Sequence, residues 1–493
     1  MNTWDEGGSQ GAQRRLASLL DRDPDVEDLT VVGVPSITLR PEELEKIPGA
    51  VHFEQRLLYL VQVLRARRAR LVYVSSQAIE PAVVDYVIGI LPSLDASEAY
   101  RRLTLLDCAD SSPVPLADKI LQRPALVAGI RQAIADPADA YLVTYTSTTV
   151  EQELASRLGI PLFACDPRLS QLGLKSGARK LMRCAGVPIP DGFEDLRSET
   201  DVVDALVALR SAHPALCGAV VKLNDSFAGA GNALFSYRGA PSAGLRTWVR
   251  ANLLSRLRIP PTETWTSFRE KLGASGGVVE VYVDAAGTRS PSVQLELRPD
   301  GVVRTISTHD QILAGPTGQT FVGCTFPANG MYRRQIGELA QRTGRELAAI
   351  GVVGPVSIDF IVDADNPDTA SFALECNLRM GGANAPFMFM HGLVQGRYDH
   401  ATGSYLTRDG EERCYRAADR LHLPRLSGLS PQQAIDAVTK AGLRFDHQRC
   451  TGVLLYALGT VREFSKLGVL AIGSTPQEAE QLFDRTVSVL TAI

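Results

Sequence analysis

The chain has 493 residues, 45% hydrophobic and 22% charged, an ordinary folded composition in a chain long enough for roughly two to four domains. A formal net charge of −4 argues against a nucleic-acid-coating or membrane-surface protein. No apolar run reaches the length of a bilayer span, residues 1–13 are polar and unlike a secretion signal, and the eight cysteines include no Cys-x-x-Cys pair. The expectation is a cytoplasmic protein with no membrane or nucleic-acid partner, no zinc site and no disulfide framework.

Apolar runs at 29–34, 71–75, 103–106, 141–145 and 161–164 predict short buried strands, and helical patterns at 53–65, 81–91, 125–135 and 149–158 lie between them. This alternation predicts a parallel sheet with helices on both faces. No Gly-x-Gly-x-x-Gly opens any of these helices, so a dinucleotide site is not supported. After about residue 170 the pattern changes to strands at 219–223, 278–283, 292–298, 302–309 and 320–324 in a more antiparallel arrangement, with Asp300-Gly301 as a hairpin turn. Helices at 177–185, 202–211 and 333–350 are interspersed, and the polar stretch 409–412 predicts a linker. A small α/β unit follows, with a helix at 431–441, strands at 452–458 and 468–472, and a last helix whose start is marked by Thr475, Pro476 and Glu478. The fold class is therefore α/β and α+β, in several domains.

Two consecutive strands carry the most chemistry. Over 354–363 and 370–379 apolar and polar residues alternate, so Glu375, Asn377 and Arg379 share one face at steps of roughly 6.5–7 Å. A hairpin at 364–369 lets Asp359 sit beside that row. Two carboxylates and an amide oxygen suit Mg²⁺, which takes few protein oxygens and completes its shell with phosphate and water. Arg379 suits an anion on the same face, and Gly381-Gly382 just beyond offers backbone N–H groups to it. The competing reading is a solvated polar strand with an ordinary ion pair.

Lysine is scarce beside arginine. Lys222 sits on the apolar strand 220–223, where a buried ammonium needs an anion, and Ser226, Gly229 and Gly231 follow in a loop open enough for backbone amides to approach phosphate. Lys175 opens a helix that ends at Ala185-Gly186-Val187-Pro188. Glu280 interrupts the apolar strand 278–283, where it could address an adenine amino group or simply form an ion pair.

In this order the elements resemble the ATP-grasp superfamily. Lys175 with Gly186-Val187-Pro188 looks like its first lysine and Gly-x-Pro, Lys222 with 226–231 like its second lysine and lid loop, and Glu280, Val281 and Val283 like its adenine hinge. Asp359 with Glu375-Cys376-Asn377-Leu378-Arg379 fits its metal set. The run His309-Asp310-Gln311-Ile312-Leu313-Ala314-Gly315, with Gly318-Gln319, Gly323-Cys324-Thr325-Phe326-Pro327-Ala328, Leu455-Tyr456-Ala457-Leu458-Gly459 and Lys466-Leu467-Gly468, is similar to the pheganomycin-type peptide ligases. The resemblance implies a Rossmann-like pre-ATP-grasp domain over 1–170, an ATP-grasp catalytic domain over 171–412 and a small C-terminal α/β domain over 413–493. One departure concerns the ribose: Gln294 stands where many superfamily members have an acid, with Glu296 as a possible substitute.

The implied activity is ATP-dependent. A small, amino-acid-like carboxylate becomes an acyl phosphate and is passed to the amine of a peptide or amino acid, in natural-product biosynthesis. One or two Mg²⁺ ions, replaceable by Mn²⁺, are expected at Asp359, Glu375 and Asn377, with Lys175 and Lys222 on the phosphates and Arg379 on the acid. Closure of the 226–231 loop is expected to exclude water, and His309 and Asp310 are candidates for positioning or deprotonating the amine. A homodimer is compatible with this reading. The alternatives are a non-peptide acceptor, or a regulatory protein that binds ATP without turnover.

Overall fold

The computed structural model describes residues 6–226, 231–261, 263–283, 287–314, 320–365 and 371–493. The N-terminal part builds a parallel sheet from β1 (Leu29–Val34), β2 (Ala69–Ser75), β3 (Leu103–Asp107) and β4 (Ala140–Thr144), in the order β3-β2-β1-β4. Val31, Val32, Leu71 and Val72 are buried on the two faces, which is why these strands read as unbroken apolar runs. The strand predicted at 161–164 is reduced to a single bridge between Leu142 and Leu162. The helix Thr149–Leu158 is fixed at its start by reciprocal bonds between Thr148 and Glu151. Strand order runs outward from β1 in both directions, so the topological switch point lies between β1 and β4.

The next part is a five-stranded antiparallel sheet of β5 (Gly192–Leu196), β6 (Gly218–Leu223), β7 (Asn232–Ser236), β8 (Leu257–Arg258) and β9 (Gly277–Val281), ordered β5-β9-β6-β7-β8. Its apolar face packs on the helices Glu199–Ala212, Leu245–Arg256 and Trp265–Ser275 through Leu206, Phe235, Val249, Phe268 and Leu272. The short strands β5 and β7 are not visible in the sequence pattern, because each has a half-exposed face and few β-branched residues.

Among the described residues a third sheet holds eleven strands. They are β10 (Thr288–Arg289), β11 (Pro291–Leu297), β12 (Val303–Ala314), β13 (Thr320–Phe326), β14 (Gly354–Asp363), β15 (Phe372–Asn377), β16 (Arg397–Asp399), β17 (Ser404–Leu406), β18 (Glu412–His422), β19 (Gly452–Tyr456) and β20 (Lys466–Gly473). The order is β10-β14-β11-β12-β13-β18-β17-β16, with β15 on β14 and with β20 joining β18 to β19. The β11–β12 turn is the expected one: Gly301 has φ +83° and the Arg298 N–H donates to Val302 O at 2.9 Å.

The stretch 409–412 is not a linker. It is the turn from β17 into β18, closed by the Thr407 N–H on Glu411 O at 2.9 Å and the Gly410 N–H on Thr407 O at 3.1 Å. Because β18 pairs with both β13 and β20, the C-terminal part continues the eleven-stranded sheet. One core runs from Val31, Leu57 and Tyr73 through Phe326, Phe387 and Met390 to Leu454 and Leu470. The final helix, Pro476–Thr491, is capped as expected by Thr475, whose Oγ accepts from the Glu478 N–H at 3.2 Å.

Candidate functional site

The β14–β15 pair sets the centre of the site. Its register places Asp359 opposite Glu375 and Ser357 opposite Asn377, and residues opposite each other in an antiparallel pair share a face. The strict alternation expected for β15 does not hold. A bulge after Asp359 shifts Phe360 onto Ala373, so that Leu374 and Glu375 both face the cleft while Ala373 and Cys376 are fully buried in the core. The bulge gives the row its curvature and brings Glu375 level with Asp359.

Hydrogen bonds tie the row together. The Asn377 amide donates to Asp359 Oδ2 at 3.4 Å, Gln311 Nε2 donates to Asp359 Oδ1 at 2.9 Å, and Arg379 Nη2 donates to Asn377 Oδ1 at 3.2 Å. Lys175, at the start of the helix Lys175–Cys184, forms an ion pair with Glu375. Burial, reinforced by the nearby Glu375 carboxylate, pushes Asp359 well above the usual carboxylate range. Burial acts on Glu375 too, but the cations of Lys175, Lys222 and Arg379 together outweigh it and hold Glu375 low. Two converging half-buried carboxylates with an amide oxygen beside them fit a divalent cation. Among the described residues no cluster of three or more His, Cys, Asp or Glu side chains suits a metal.

These groups open onto a cavity of about 550 Å³. Lys222, Glu280, Val281, Val283, Gln294, Asp359, Glu375, Asn377 and Arg379 all line it. The Glu280 carboxylate is enclosed by Lys222 and by Arg179, whose Nη1 donates at 2.8 Å. Glu280 thus forms the ion pairs of one of its two readings and also lines the cavity. The segment 281–283 also lies on the cavity wall. Gln294 lies beside the glycine turn, 3.2 Å from where a Cβ on Gly381 would stand. A Cβ on Gly382 would come within 2.6 Å of the Phe321 ring, so this close-packed turn requires glycine. The Gly381 N–H is already taken by Asn384 Oδ1 at 2.6 Å, which removes one of the two amides expected to face the anion.

Several expected residues lie elsewhere. His309 is fully buried among Phe326, Phe387 and Tyr415, with Nε2 2.7 Å from the Tyr415 hydroxyl. Burial pushes it down to about 3. Asp310 turns to the other face and accepts from the Tyr332 hydroxyl at 2.6 Å and the Asn329 N–H at 2.9 Å. Neither lines the cavity, so the geometry does not support either as the group that deprotonates the amine. Glu296 lies one strand step beyond Gln294, opposite Pro355 and 4.0 Å from Arg304, and is off the cavity wall, which removes it as a substitute ribose contact. Ser226 and Gly231 line a separate cavity of about 170 Å³ with Glu43, Glu263 and Lys271. Gly229 lies outside the described residues, as do Gly315, Gly318 and Gln319 of the run above.

The cavity wall also holds Gln311 of the run above and six residues that the sequence did not single out: Arg56, Tyr145, Arg289, Phe321, Asp419 and Arg420. Arg56 and Asp419 were visible only as charges inside apolar patterns. They are brought together by packing between segments 363 residues apart.

Residues 256–401 match the family described as IQCH-like, ATP-grasp, and residues 433–486 match the PGM1 C-terminal domain. Over 455 residues the chain is 30% identical to the L-propargylglycine–L-glutamate ligase of Streptantibioticus cattleyicolor, across 91% of each chain. It is 22% identical to IQ motif-containing protein H of Danio rerio, across 94% of this chain and 48% of that one. Among solved structures, the ATP-complexed biotin carboxylase of Campylobacter jejuni is similar with a TM-score of 0.56 at 12% identity, over 94% of this chain and 95% of that one. The biotin carboxylase domain of the Hydrogenobacter thermophilus 2-oxoglutarate carboxylase gives 0.54 at 12% identity, over 93% and 89%. The fold and its cleft define an ATP-grasp enzyme. The chain belongs to the family of ATP-dependent, ADP-forming carboxylate–amine ligases that includes the S. cattleyicolor enzyme.

Proposed function

We propose that the enzyme joins two small amino acids, or an amino acid and a peptide, in natural-product biosynthesis by way of an acyl phosphate. A carboxylate is a poor electrophile because its leaving group would be oxide. Transfer of the ATP γ-phosphoryl group to a carboxylate oxygen converts that oxygen into part of a phosphate leaving group. The amine nitrogen then attacks the carbonyl carbon, the C–O bond to phosphate breaks, and phosphate leaves with the electron pair as the amine gives up its proton. The single observation that carries this reading is the convergence of Asp359, Glu375, Asn377, Arg379 and Lys222 on one cavity, with Lys175 bonded to Glu375.

Within that cavity the segment 281–283 would hold the base, and Lys222 and Lys175 would reach the phosphates. Arg379, at the end of the row, would bind the acid and stabilise charge on the tetrahedral adduct, a role commonly worth about 3 kcal/mol. Asp359, Glu375 and Asn377 are the residues that would hold one or two Mg²⁺ ions, for which Mn²⁺ can substitute, neutralising charge on the β- and γ-phosphates.

The test supplies Mg-ATP, L-glutamate and L-propargylglycine, the pair in the relative's name, and follows ADP, phosphate and product mass. One ADP and one phosphate should form per conjugate, and leaving out either amino acid should stop the reaction. ADP released without a conjugate would favour a hydrolytic enzyme and defeat the proposal.

A further inference from the structure

Past the glycine turn the cavity continues into a corner lined by Ile37, Phe53, Arg56, Tyr145, Asp419 and Arg420. Ile37 follows β1 and Tyr145 follows β4, so the corner lies at the switch-point crevice of the parallel sheet, where open α/β sheets receive ligands. It adjoins the turn after Arg379: the Met380 N–H donates to Tyr145 O at 3.3 Å, and the backbone carbonyl of Phe321, whose ring abuts Gly382, accepts from Arg420 Nη2 at 2.8 Å.

The charges in this corner do not balance. Arg56 and Asp419 form an ion pair, and both residues are more than nine-tenths buried. Arg56 also stacks 4.2 Å above the Phe53 ring. Yet Arg56 Nε and Asp419 Oδ1 have no hydrogen-bond partner among the described residues. Leaving such buried groups unmet is costly, and more so when they are charged. Arg420 adds a second guanidinium, so two cations face one carboxylate in a region largely shielded from water. A ligand carboxylate would balance the charge through bidentate contacts, and a ligand amine would satisfy the free carboxylate oxygen.

We propose that this corner is the acceptor site and that it takes the amine substrate as a free α-amino acid with a short apolar side chain. Arg56 and Arg420 hold its carboxylate, Asp419 Oδ1 receives its amino group, and its side chain lies against Ile37 and Phe53. The assignment rests on the ligase reading. It extends that reading by requiring a free carboxylate next to the reacting amine, which a peptide N-terminus lacks.

The experiment measures amine saturation with L-glutamate and Mg-ATP for L-propargylglycine, L-norvaline and their carboxamides. It uses the wild type and Arg420→Gln, which leaves the Arg56–Asp419 pair intact, with Arg420→Lys as the conservative variant. Hydroxylamine replaces the amine in parallel wild-type reactions to trap the acyl phosphate as a hydroxamate. The wild type should favour the free amino acids over the carboxamides by at least about tenfold in kcat/KM, equal to about 1.4 kcal/mol. Arg420→Gln should raise the amine KM by a similar factor, leave the ATP KM within about twofold and lose the preference, and Arg420→Lys should restore part of it. Equal use of carboxamides by the wild type, or an unchanged amine KM in Arg420→Gln, would overturn the acceptor assignment while the hydroxamate still supports the ligase. A wild type that forms no hydroxamate would contradict the ligase reading itself.

Discussion

Glu375 and Lys222 each sit in an ion pair in the cleft, with Lys175 and Glu280 respectively, so their variants must separate chemistry from folding. Glu375→Gln keeps the side-chain volume and an oxygen for Lys175 while removing the charge. On the proposed role it should lower kcat for conjugate formation by at least about a hundredfold, close to 3 kcal/mol, with a melting temperature near that of the wild type. A Glu375→Gln variant with near-normal turnover would remove this residue from the site. His309 makes the opposite kind of prediction. Its folded pKa, pushed down to about 3 by burial, lies below the unfolded value of about 6.5. The unfolded chain therefore binds a proton between those values while the folded chain does not. Stability from this residue is complete above about pH 6.5 and falls by up to about 1.4 kcal/mol per pH unit below it. Urea unfolding at pH 7.5 and pH 5.5 should show a larger acid loss in the wild type than in His309→Gln. Equal losses would mean His309 titrates freely.

The residue scale also shows what the sequence could and could not reveal. Asp359, Glu375, Asn377 and Arg379 were legible because a two-residue period puts charges on one face of an otherwise apolar strand. His309 and Asp310 looked equally chemical, but they point to opposite faces of β12 into packed surroundings. Nothing local announces that burial. Arg56 and Asp419 were illegible for the converse reason, since only tertiary packing makes two isolated charges into a pair.

At the scale of elements, the β14–β15 hairpin depends on details that composition does not encode. The bulge after Asp359 puts Leu374 and Glu375 on the same wall, where strict alternation would separate them. At the other end of β14, Gly354 has φ +100° and a Cβ there would lie 2.7 Å from the Ala164 backbone. Gly354→Ala should therefore cost about 2–3 kcal/mol from the backbone conformation and the contact together. Gly428 has φ +78° with open space around its Cβ position, so Gly428→Ala should cost only about 1 kcal/mol. Denaturant midpoints would check both, and equal costs would mean the contact with residue 164 does not anchor β14.

At the scale of the whole molecule, we propose the working units 1–170, 171–412 and 413–493, but they are not independent. The chain after 412 supplies β18 to β20 to the catalytic sheet and part of the core shared with the N-terminal sheet. A chain ending at 412 should expose the edge of β13 and lose cooperative unfolding. If that fragment unfolded cooperatively and bound an ATP analogue, the C-terminal part would be a separable domain. Strand–helix alternation made the N-terminal sheet legible in the sequence. The continuity through β18 was not, because its charged positions hide its strand period and a polar turn before it reads as a linker.

Oxygen transfer tests the central claim most directly. Each amino acid is supplied in turn with ¹⁸O in its carboxyl groups, together with unlabelled ATP and the unlabelled partner, and the released phosphate is weighed by mass spectrometry. An acyl phosphate requires one labelled oxygen to move from the activated carboxylate into each phosphate, with the label coming from only one of the two amino acids. Phosphate free of ¹⁸O in both experiments, with the conjugate still formed, would contradict the acyl-phosphate route and the assignment of this cleft to it.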